Sequence, residues 1–358
     1  MAVQDLKWYS TFEFLIGSIL SFADPITDVL ALMGFYKENH RNWFKWGVIF
    51  MIIPCLTFVM VYLLTITFDN VRGVTDCLRR VLFTLNPFSP GWATLKAFVL
   101  CLKNFKKLWR GEGVDCGDDV DDVNRLLAYV NFAPFMEVIT ESIPQFIIQL
   151  YGASVQEEPV KIIQIISLLV SFLSLVWSFS AADGFLHEGE IDMKIKHKLI
   201  FLVTNFFLLS SRLFAICYFI LAFRGWIFVV LILHSVIVAL ADSCPRYKAG
   251  RKCDWWCSAI FIFFLFSHWI RDDLSAPHDA DDSGARKKQL KRIQWLSNVM
   301  FVVENIVMIL LFYNHSKYSN ACYALPITVS VCSLSILGAT IRLIHFNSLL
   351  KTVSHQKR

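Results

Sequence analysis

Long apolar runs limit the folds open to this chain more than any other feature. A helix needs about 20 mostly apolar residues to cross the hydrocarbon core of a bilayer. A shorter apolar run covers residues 226–241, and Pro134 and Pro144 interrupt another at residues 126–152. We predict eight spans, with a kink at the two prolines. The remaining six runs lie near residues 11–34, 44–68, 160–182, 199–223, 293–314 and 322–345.

The composition supports a membrane protein. Hydrophobic residues make up 56% of the chain and charged residues only 18%, whereas soluble domains are about 45–50% apolar. Two further stretches, 92–109 and 255–270, are too short or too basic to cross a bilayer easily, so we interpret them as re-entrant or interfacial segments. The predicted fold class is an all-α integral membrane protein with about eight transmembrane helices and two re-entrant segments.

The distribution of lysine and arginine predicts the orientation in the membrane. Lysine and arginine are concentrated in one set of loops. The loops on the other side of the membrane hold few cations, among them Lys37, Arg41, Arg224 and Lys317. Cytosolic loops carry an excess of positive residues, so we predict that both termini are cytosolic. The N-terminus also lacks the features of a cleaved secretory signal. The basic loops are 69–125, 183–198, 242–254 and 271–293.

The order of spans and loops hints at a duplication. Each half has two spans, a long basic loop with a short apolar segment, and two more spans. A glutamate lies in the third span of each half, Glu137 in the first and Glu304 in the second. We predict two pseudo-symmetric, four-span parallel repeats. Their bounds are 1–190 with the re-entrant segment near 92–109, 191–345 with the segment near 255–270, and a cytosolic tail at 346–358.

Ionisable and amide side chains lie within the predicted spans. A charge at mid-bilayer costs about 2.5–3.5 kcal/mol on insertion scales and marks a functional site by default. The acids outnumber the one deep base, so Arg212 can pair with one or two carboxylates, and the others need a proton, a cation, water or a polar cavity. The candidate lipid-path residues are Asp24, Asp28, Glu137, Glu141, Gln145, Gln149, Asp183, Arg212 and Glu304.

Three functions fit such a set of buried charges. A polar track suits lipid headgroups, because a zwitterionic headgroup needs mixed charge while its acyl tails stay in the bilayer. The same acids would also serve a proton- or cation-coupled transporter or a channel. The third alternative is a structural membrane subunit, in which an ion-pair network only holds the helices in register.

Other motifs favour structural roles. The Cys253–Cys257 pair lacks partners at zinc-site spacing, and the acidic run 118–122 lacks the glycine and terminal glutamate of a calcium loop. His234 is a lone histidine on an apolar helix, typical of a hydrogen-bonded core residue. No nucleophile or nucleotide motif is present. We expect no enzymatic activity, no metal or cofactor, and no nucleic-acid partner.

The sequence Phe135-Met-Glu-Val-Ile-Thr-Glu-Ser-Ile-Pro-Gln-Phe-Ile-Ile-Gln-Leu-Tyr151 resembles the XK-related membrane protein family. That family shares the pattern E-x-x-x-E-S-x-P-Q-x-x-x-Q-L-Y at this place. Other residues match the family in chain order: Asp24 and Asp28 match its aspartate pair, Ser211-Arg212-Leu213 its intramembrane arginine, and Glu304-Asn305 its glutamate–asparagine pair.

The resemblance implies eight spans and two re-entrant segments in two pseudo-symmetric halves, and phospholipid scrambling at the plasma membrane that exposes phosphatidylserine on dying cells. Several family members are activated by caspase cleavage of a terminal segment and associate with a single-span immunoglobulin-like chaperone, whereas others have no shown scrambling. In this chain Asp-x-x-Asp matches end at Asp121 and Asp282, which makes these two residues the candidate cleavage positions.

Overall fold

The computed structural model describes residues 6–66, 85–112, 114, 120–156, 159–188, 194–234, 236–237, 283–316 and 321–356. The regular secondary structure in these ranges is entirely helical, without a β-strand. The chain divides into two compact units, Met1–Glu188 and Gly189–Arg358. The four-span repeats proposed from the sequence stay a prediction.

Unit 1 is built around its first helix. Helix α1 packs against α2, α3 and α7, while α6 packs against α2 and α7. Asn39 turns the chain between α1 and α2 with a φ of 63°, a left-handed conformation that asparagine tolerates better than most residues. The helices are α1 (Ser10–Lys37), α2 (Arg41–Ile66), α3 (Ser89–Lys103), α4 (Phe105–Arg110), α5 (Val120–Glu137), a π-helix (Val138–Ser142), α6 (Ile143–Val155) and α7 (Ile162–Glu188).

Unit 2 contains three long helices that pack pairwise against one another. They are α8 (Ile195–Phe223), α9 (Ser283–His315) and α10 (Ala324–Gln356). Arg224, with a φ of 50°, follows the last residue of α8, and helical backbone resumes over residues 226–234. The predicted re-entrant segment 255–270 lies outside the described residues.

Within the described ranges, five helices are long and apolar enough to cross a membrane. They coincide with five of the eight predicted spans, so the multi-pass, all-helical fold class is confirmed. The eight-span count stays a prediction, as do the two re-entrant segments; residues 92–109 fall on α3 and α4. The five helices run over Ser10–Lys37, Ile162–Gly184, Ile195–Phe223, Gln294–His315 and Ala324–Leu349.

Helix α1 is polar towards the protein and apolar towards the outside. Its buried face includes Ser18, Ser21, Asp24 and Asp28, while Ile19 is 58% exposed. A soluble protein places its apolar residues inside, whereas lipid solvates apolar side chains and leaves polar groups to be satisfied within the protein. The arrangement of α1 therefore fits a helix whose outer face meets lipid.

Small residues allow α3 to pack closely in unit 1. Ala93, Ala97 and Cys101 are spaced four residues apart and are at most 2% exposed. They form a hydrophobic core with residues of α1 and α5, including Phe14 and Leu127. Small residues at this spacing let helix backbones approach within a membrane. Buried in this core, Cys101 thus acts as a small apolar side chain.

Candidate functional site

Asp24 lies on α1 with its carboxyl group completely enclosed by other helices. Ser142 donates to its Oδ2 at 2.6 Å, and Ser171 donates to its Oδ1 at 2.6 Å. Ser142 ends the π-helix and Ser171 belongs to α7. One side chain thus joins three segments of unit 1 through two short hydrogen bonds to a carboxyl group, which are stronger than bonds between neutral groups when the carboxyl is ionised.

Asp28 lies one helical turn after Asp24 and is 0% exposed. Its Oδ1 accepts from Gln149 Nε2 at 2.9 Å and from Ser167 Oγ at 2.8 Å, and Ser171 Oγ lies 3.1 Å away. Its Oδ2 has no hydrogen-bond partner within the described part of the chain. A serine hydroxyl has a single proton, so Ser171 donates to one aspartate at a time.

A stripe of polar residues along α7 supplies most of these donors. The stripe consists of Gln164, Ser167, Ser171, Ser174 and Ser178, each at most 7% exposed. Their spacing of three and four residues places them on one face of a helix. Sequence analysis missed the four serines as site residues, although their helical period within an otherwise apolar run was a readable signal.

The second acidic pair of unit 1, Glu137 and Glu141, lies at and within the π-helix. Ile143 donates its backbone N–H to Val138 O, the five-residue spacing that defines a π turn. Pro144 follows and has no N–H to offer the preceding turn. Single π turns of this kind often occur at functional sites. Glu137 ends α5 beside the turn and Glu141 lies within it, and the two side chains are 6% and 3% exposed.

Two glutamines continue this face into α6. Gln145 donates to the backbone oxygen of Gly47 on α2 at 2.6 Å, and Gln149 donates to Asp28. A Cβ at Gly47 would lie 2.1 Å from Leu32 Cδ2, so any other residue at this position of α2 would force the Leu32 side chain of α1 to shift. The predicted stripe of Glu141, Gln145 and Gln149 is therefore buried in unit 1 and linked to both α1 and α2.

We call the buried acids of unit 1 and the serines and glutamines around them the polar cluster. Its members are Asp24, Asp28, Glu137, Glu141, Ser142, Gln145, Gln149, Ser167 and Ser171. Four of its oxygen atoms have no hydrogen-bond partner among the described residues. Neither aspartate nor Glu137 nor Glu141 pairs with a lysine or arginine in the described ranges. Buried carboxyl groups without a cation need a proton or a bound cation. The oxygen atoms that lack a partner among the described residues are Asp28 Oδ2, Glu141 Oε1, Gln145 Oε1 and Gln149 Oε1.

Arg212 is paired within unit 2. Its Nη1 donates to Glu304 Oε2 and to Asn305 Oδ1, both at 3.0 Å. Asn305 in turn donates to Ser335 Oγ at 3.2 Å. The guanidinium is 0% exposed and lies over the ring of Phe301, 5.5 Å from its centroid. The structure thus brings Arg212 and Glu304 together, their contact links α8 to α9, and Asn305 extends the network to Ser335 of α10.

His234 is a second partner of Glu304. Its Nδ1 lies 2.8 Å from Oε1 and 2.7 Å from Oε2 of this carboxylate. The prediction of a hydrogen-bonded core histidine at this position fits the structure, in which the partner of His234 is the predicted site residue Glu304. The 70 residues that separate it from Glu304 left no local signal for the contact.

The other predicted positions are less informative. Asp183 is buried in α7 at 2% exposure. Asp121 belongs to the first turn of α5, where the backbone is helical. Asp282 lies outside the described residues. Cleavage at either aspartate stays a prediction.

Comparisons with known proteins agree with the resemblance seen in the sequence. A family model described as XK-related protein matches residues 12–351. A relative named XK-related protein 9, from Tetraodon nigroviridis, is 24% identical over 215 residues, which cover 55% of this chain and 55% of the relative. The chain thus spans about half the length of the curated relative it matches.

Proposed function

The chain belongs to the XK-related protein family, and from that premise we propose that it is a phospholipid scramblase that moves lipids, including phosphatidylserine, between leaflets without ATP. It is a multi-pass membrane protein that buries polar and ionisable side chains among its apolar ones. In this proposal Asp24, Asp28, Glu141 and Gln145 line the lipid path, and Arg212 braces unit 2.

The observation that carries the proposal is the buried polar stripe on α7, in which Ser167 and Ser171 donate to the aspartates of α1. From Gln164 to Ser178 the stripe covers fifteen residues, and its first and last residues lie about 21 Å apart along the helix at 1.5 Å per residue. That is about two thirds of the roughly 30 Å hydrocarbon core. A structural brace needs one or two polar contacts, whereas a headgroup that crosses the core needs polar partners at successive depths.

The unused acceptors of the polar cluster fit the cationic part of a headgroup. Choline, ethanolamine and serine headgroups each carry an ammonium group, and four oxygens of the cluster lack partners among the described residues. These oxygens are buried, so lipid would reach them only after α1, α6 and α7 separate. Isoleucine and leucine side chains on the outer face of α7, such as Leu169 at 57% exposure, would keep acyl tails beside the path.

The remaining parts of the proposal rest on charge distribution and family resemblance. We place the protein in the plasma membrane with both termini cytosolic, eight spans and two re-entrant segments in two pseudo-symmetric halves. Basic cytosolic loops would attract anionic lipids by about 1 kcal/mol for each lysine or arginine near the surface. We propose that activity is linked to apoptotic lipid exposure, with a caspase and a single-span immunoglobulin-like chaperone as partners.

A liposome assay tests the scramblase directly. The purified chain is reconstituted with a fluorescent phospholipid, and a membrane-impermeant quencher is added outside. Without scrambling about half of the fluorescence is accessible, and with scrambling the accessible fraction approaches the whole in each vesicle that holds protein. Asp28→Asn should slow the loss of fluorescence from the inner-leaflet lipid. The control Glu38→Gln alters a carboxylate paired with Lys161 and should leave the rate of this loss unchanged.

A proton- or cation-coupled transporter is the second candidate. The observation in its favour is that the acids of the polar cluster lack a basic partner in the described ranges. The same liposomes distinguish the functions. Proton or sodium flux without lipid movement would support the transporter, while the absence of both, with loss of folding on Arg212→Ala, would support the structural subunit.

A further inference from the structure

The guanidinium of Arg212 has more donors than the protein satisfies. Arginine carries five N–H donors, and the hydrogen bonds of Arg212 to Glu304 and Asn305 both use Nη1. Nε and Nη2 have no partner in the part of the chain that the structure describes. The side chain is 0% exposed, so bulk water does not reach it. Buried donors without acceptors are costly, and charged ones most of all.

The acceptors near this group are already engaged. Both oxygens of Glu304 lie within 2.8 Å of His234 Nδ1, and Oε2 also accepts from Arg212. The side-chain oxygen of Asn305 accepts from Arg212. His234 Nε2 also lacks a partner among the described residues. The missing partner of Arg212 therefore comes from outside the set of side chains that surround it.

We propose that the unpaired edge of Arg212, formed by Nε and Nη2, binds a small monovalent anion of chloride size. Arginine stays charged in proteins, and Glu304 accepts from it at Nη1, on the other side of the guanidinium. A halide at the free edge would accept from both Nε and Nη2, the two donors left without a partner among the described residues, and hydrogen bonds between charged groups are stronger than those to a neutral acceptor. Full burial favours a compact ion over a phosphate headgroup, because a headgroup would need an open approach for its glycerol and acyl chains.

Thermal unfolding of the purified full-length chain in detergent tests the anion site. Sodium chloride is titrated against sodium gluconate at constant ionic strength, so that only the anion changes. A ligand that binds the folded state raises the melting temperature with its concentration. We expect a saturable rise in chloride. Equal melting temperatures in the two salts would overturn the proposal and leave water as the partner of Arg212.

Three variants locate the effect. Arg212→Lys keeps a positive charge but loses the planar edge, so the half-maximal chloride concentration should rise about tenfold or more. Glu304→Gln removes the competing negative charge, so this concentration should fall. Arg342→Lys, which alters another buried arginine of unit 2, should leave it unchanged. The assignment would be overturned if the half-maximal chloride concentration were unchanged in both Arg212→Lys and Glu304→Gln. It would also be overturned if Arg342→Lys abolished the rise in melting temperature with chloride.

The titration contains no added lipid and measures no transport. Its result is therefore independent of scrambling: the anion site stands or fails whether or not the liposome assay shows lipid movement. In a parallel titration with phospholipid, a rise in melting temperature with added lipid but not with chloride would overturn the choice of a small ion.

Discussion

The stability of unit 2 should be sensitive to removal of either partner from the contact between Arg212 and Glu304. Replacing Arg212 by leucine leaves Glu304 without its guanidinium partner and Asn305 Oδ1 without its donor. Removing one partner of a buried ion pair costs about 3–5 kcal/mol. In the variant, both oxygens of Glu304 retain their contact with His234 Nδ1, and the Glu304 side chain is 19% exposed. We therefore expect the lower end, a loss of about 3 kcal/mol in the free energy of unfolding.

A double-mutant cycle separates the ion pair from simple loss of packing. The four proteins are the wild type, Arg212→Leu, Glu304→Gln and the combination of the two. If the cost of Arg212→Leu comes from a stranded carboxylate, neutralising Glu304 recovers part of it. Residues in direct contact show coupling energies of about 0.5–3 kcal/mol. We expect a value near the middle of that range, with the double mutant more stable than the two single effects would give by addition.

Equilibrium unfolding in mixed micelles, followed by tryptophan fluorescence as sodium dodecyl sulfate is added, gives the four free energies. The buffer anion should be gluconate, which keeps chloride binding out of the comparison. A coupling below about 0.5 kcal/mol, or an Arg212→Leu variant as stable as the wild type, would refute the reasoning.

Three further predictions concern the rest of the chain. Asp28→Asn and Glu141→Gln should each slow lipid scrambling in liposomes about tenfold, equivalent to about 1.4 kcal/mol in the barrier, and full activity in both would exclude the polar cluster from the path. Ser171→Ala removes a donor that Asp24 and Asp28 share, so it should lower unfolding free energy by about 1–3 kcal/mol; a neutral effect in the same micelle titration would contradict this. Gly338→Ala places a Cβ 2.9 Å from Leu208 Cδ2 and should lower the free energy of unfolding by about 1–3 kcal/mol through overpacking. In the control Gly34→Ala the new Cβ meets nothing within 4 Å, so this change should stabilise α1 by about 0.5–1 kcal/mol. Melting temperatures that shift equally for the two alanines would show that the packing difference is unimportant.

The sequence is sufficient to predict the five helices of the described ranges that are long and apolar enough to cross a membrane, and it also reveals the buried acids. Hydropathy depends on composition over a window, so α1, α7 and α8 were readable without any knowledge of contacts. Asp24, Asp28 and Glu141 also stood out, because a carboxyl group is rare at this depth.

The partners of those acids were much harder to predict. Serine is unremarkable in a membrane helix, so the signal at Ser171 is its spacing along the α7 stripe, and Ser142, at the end of the π-helix, lies outside that stripe. Pairing of Arg212 with a carboxylate followed from counting charges, but the choice of Glu304 depends on how α8 and α9 pack. His234 entered the network through the same packing. Contacts between residues more than 60 positions apart have no local sequence pattern to reveal them.

The π-helix has a geometric consequence for the face that holds the acids and glutamines. In a regular α-helix each step of four residues advances about 40° around the axis. Glu137, Glu141, Gln145 and Gln149 would then spread over about 120°, and their side chains would diverge. A π turn holds more residues than an α turn, so each residue within it rotates less and part of this divergence is cancelled. Tightening of Val138–Ser142 into a regular helix would therefore swing Gln149 around the axis of α6 and away from Asp28. The alignment of these four polar side chains thus depends on the five-residue π-helix.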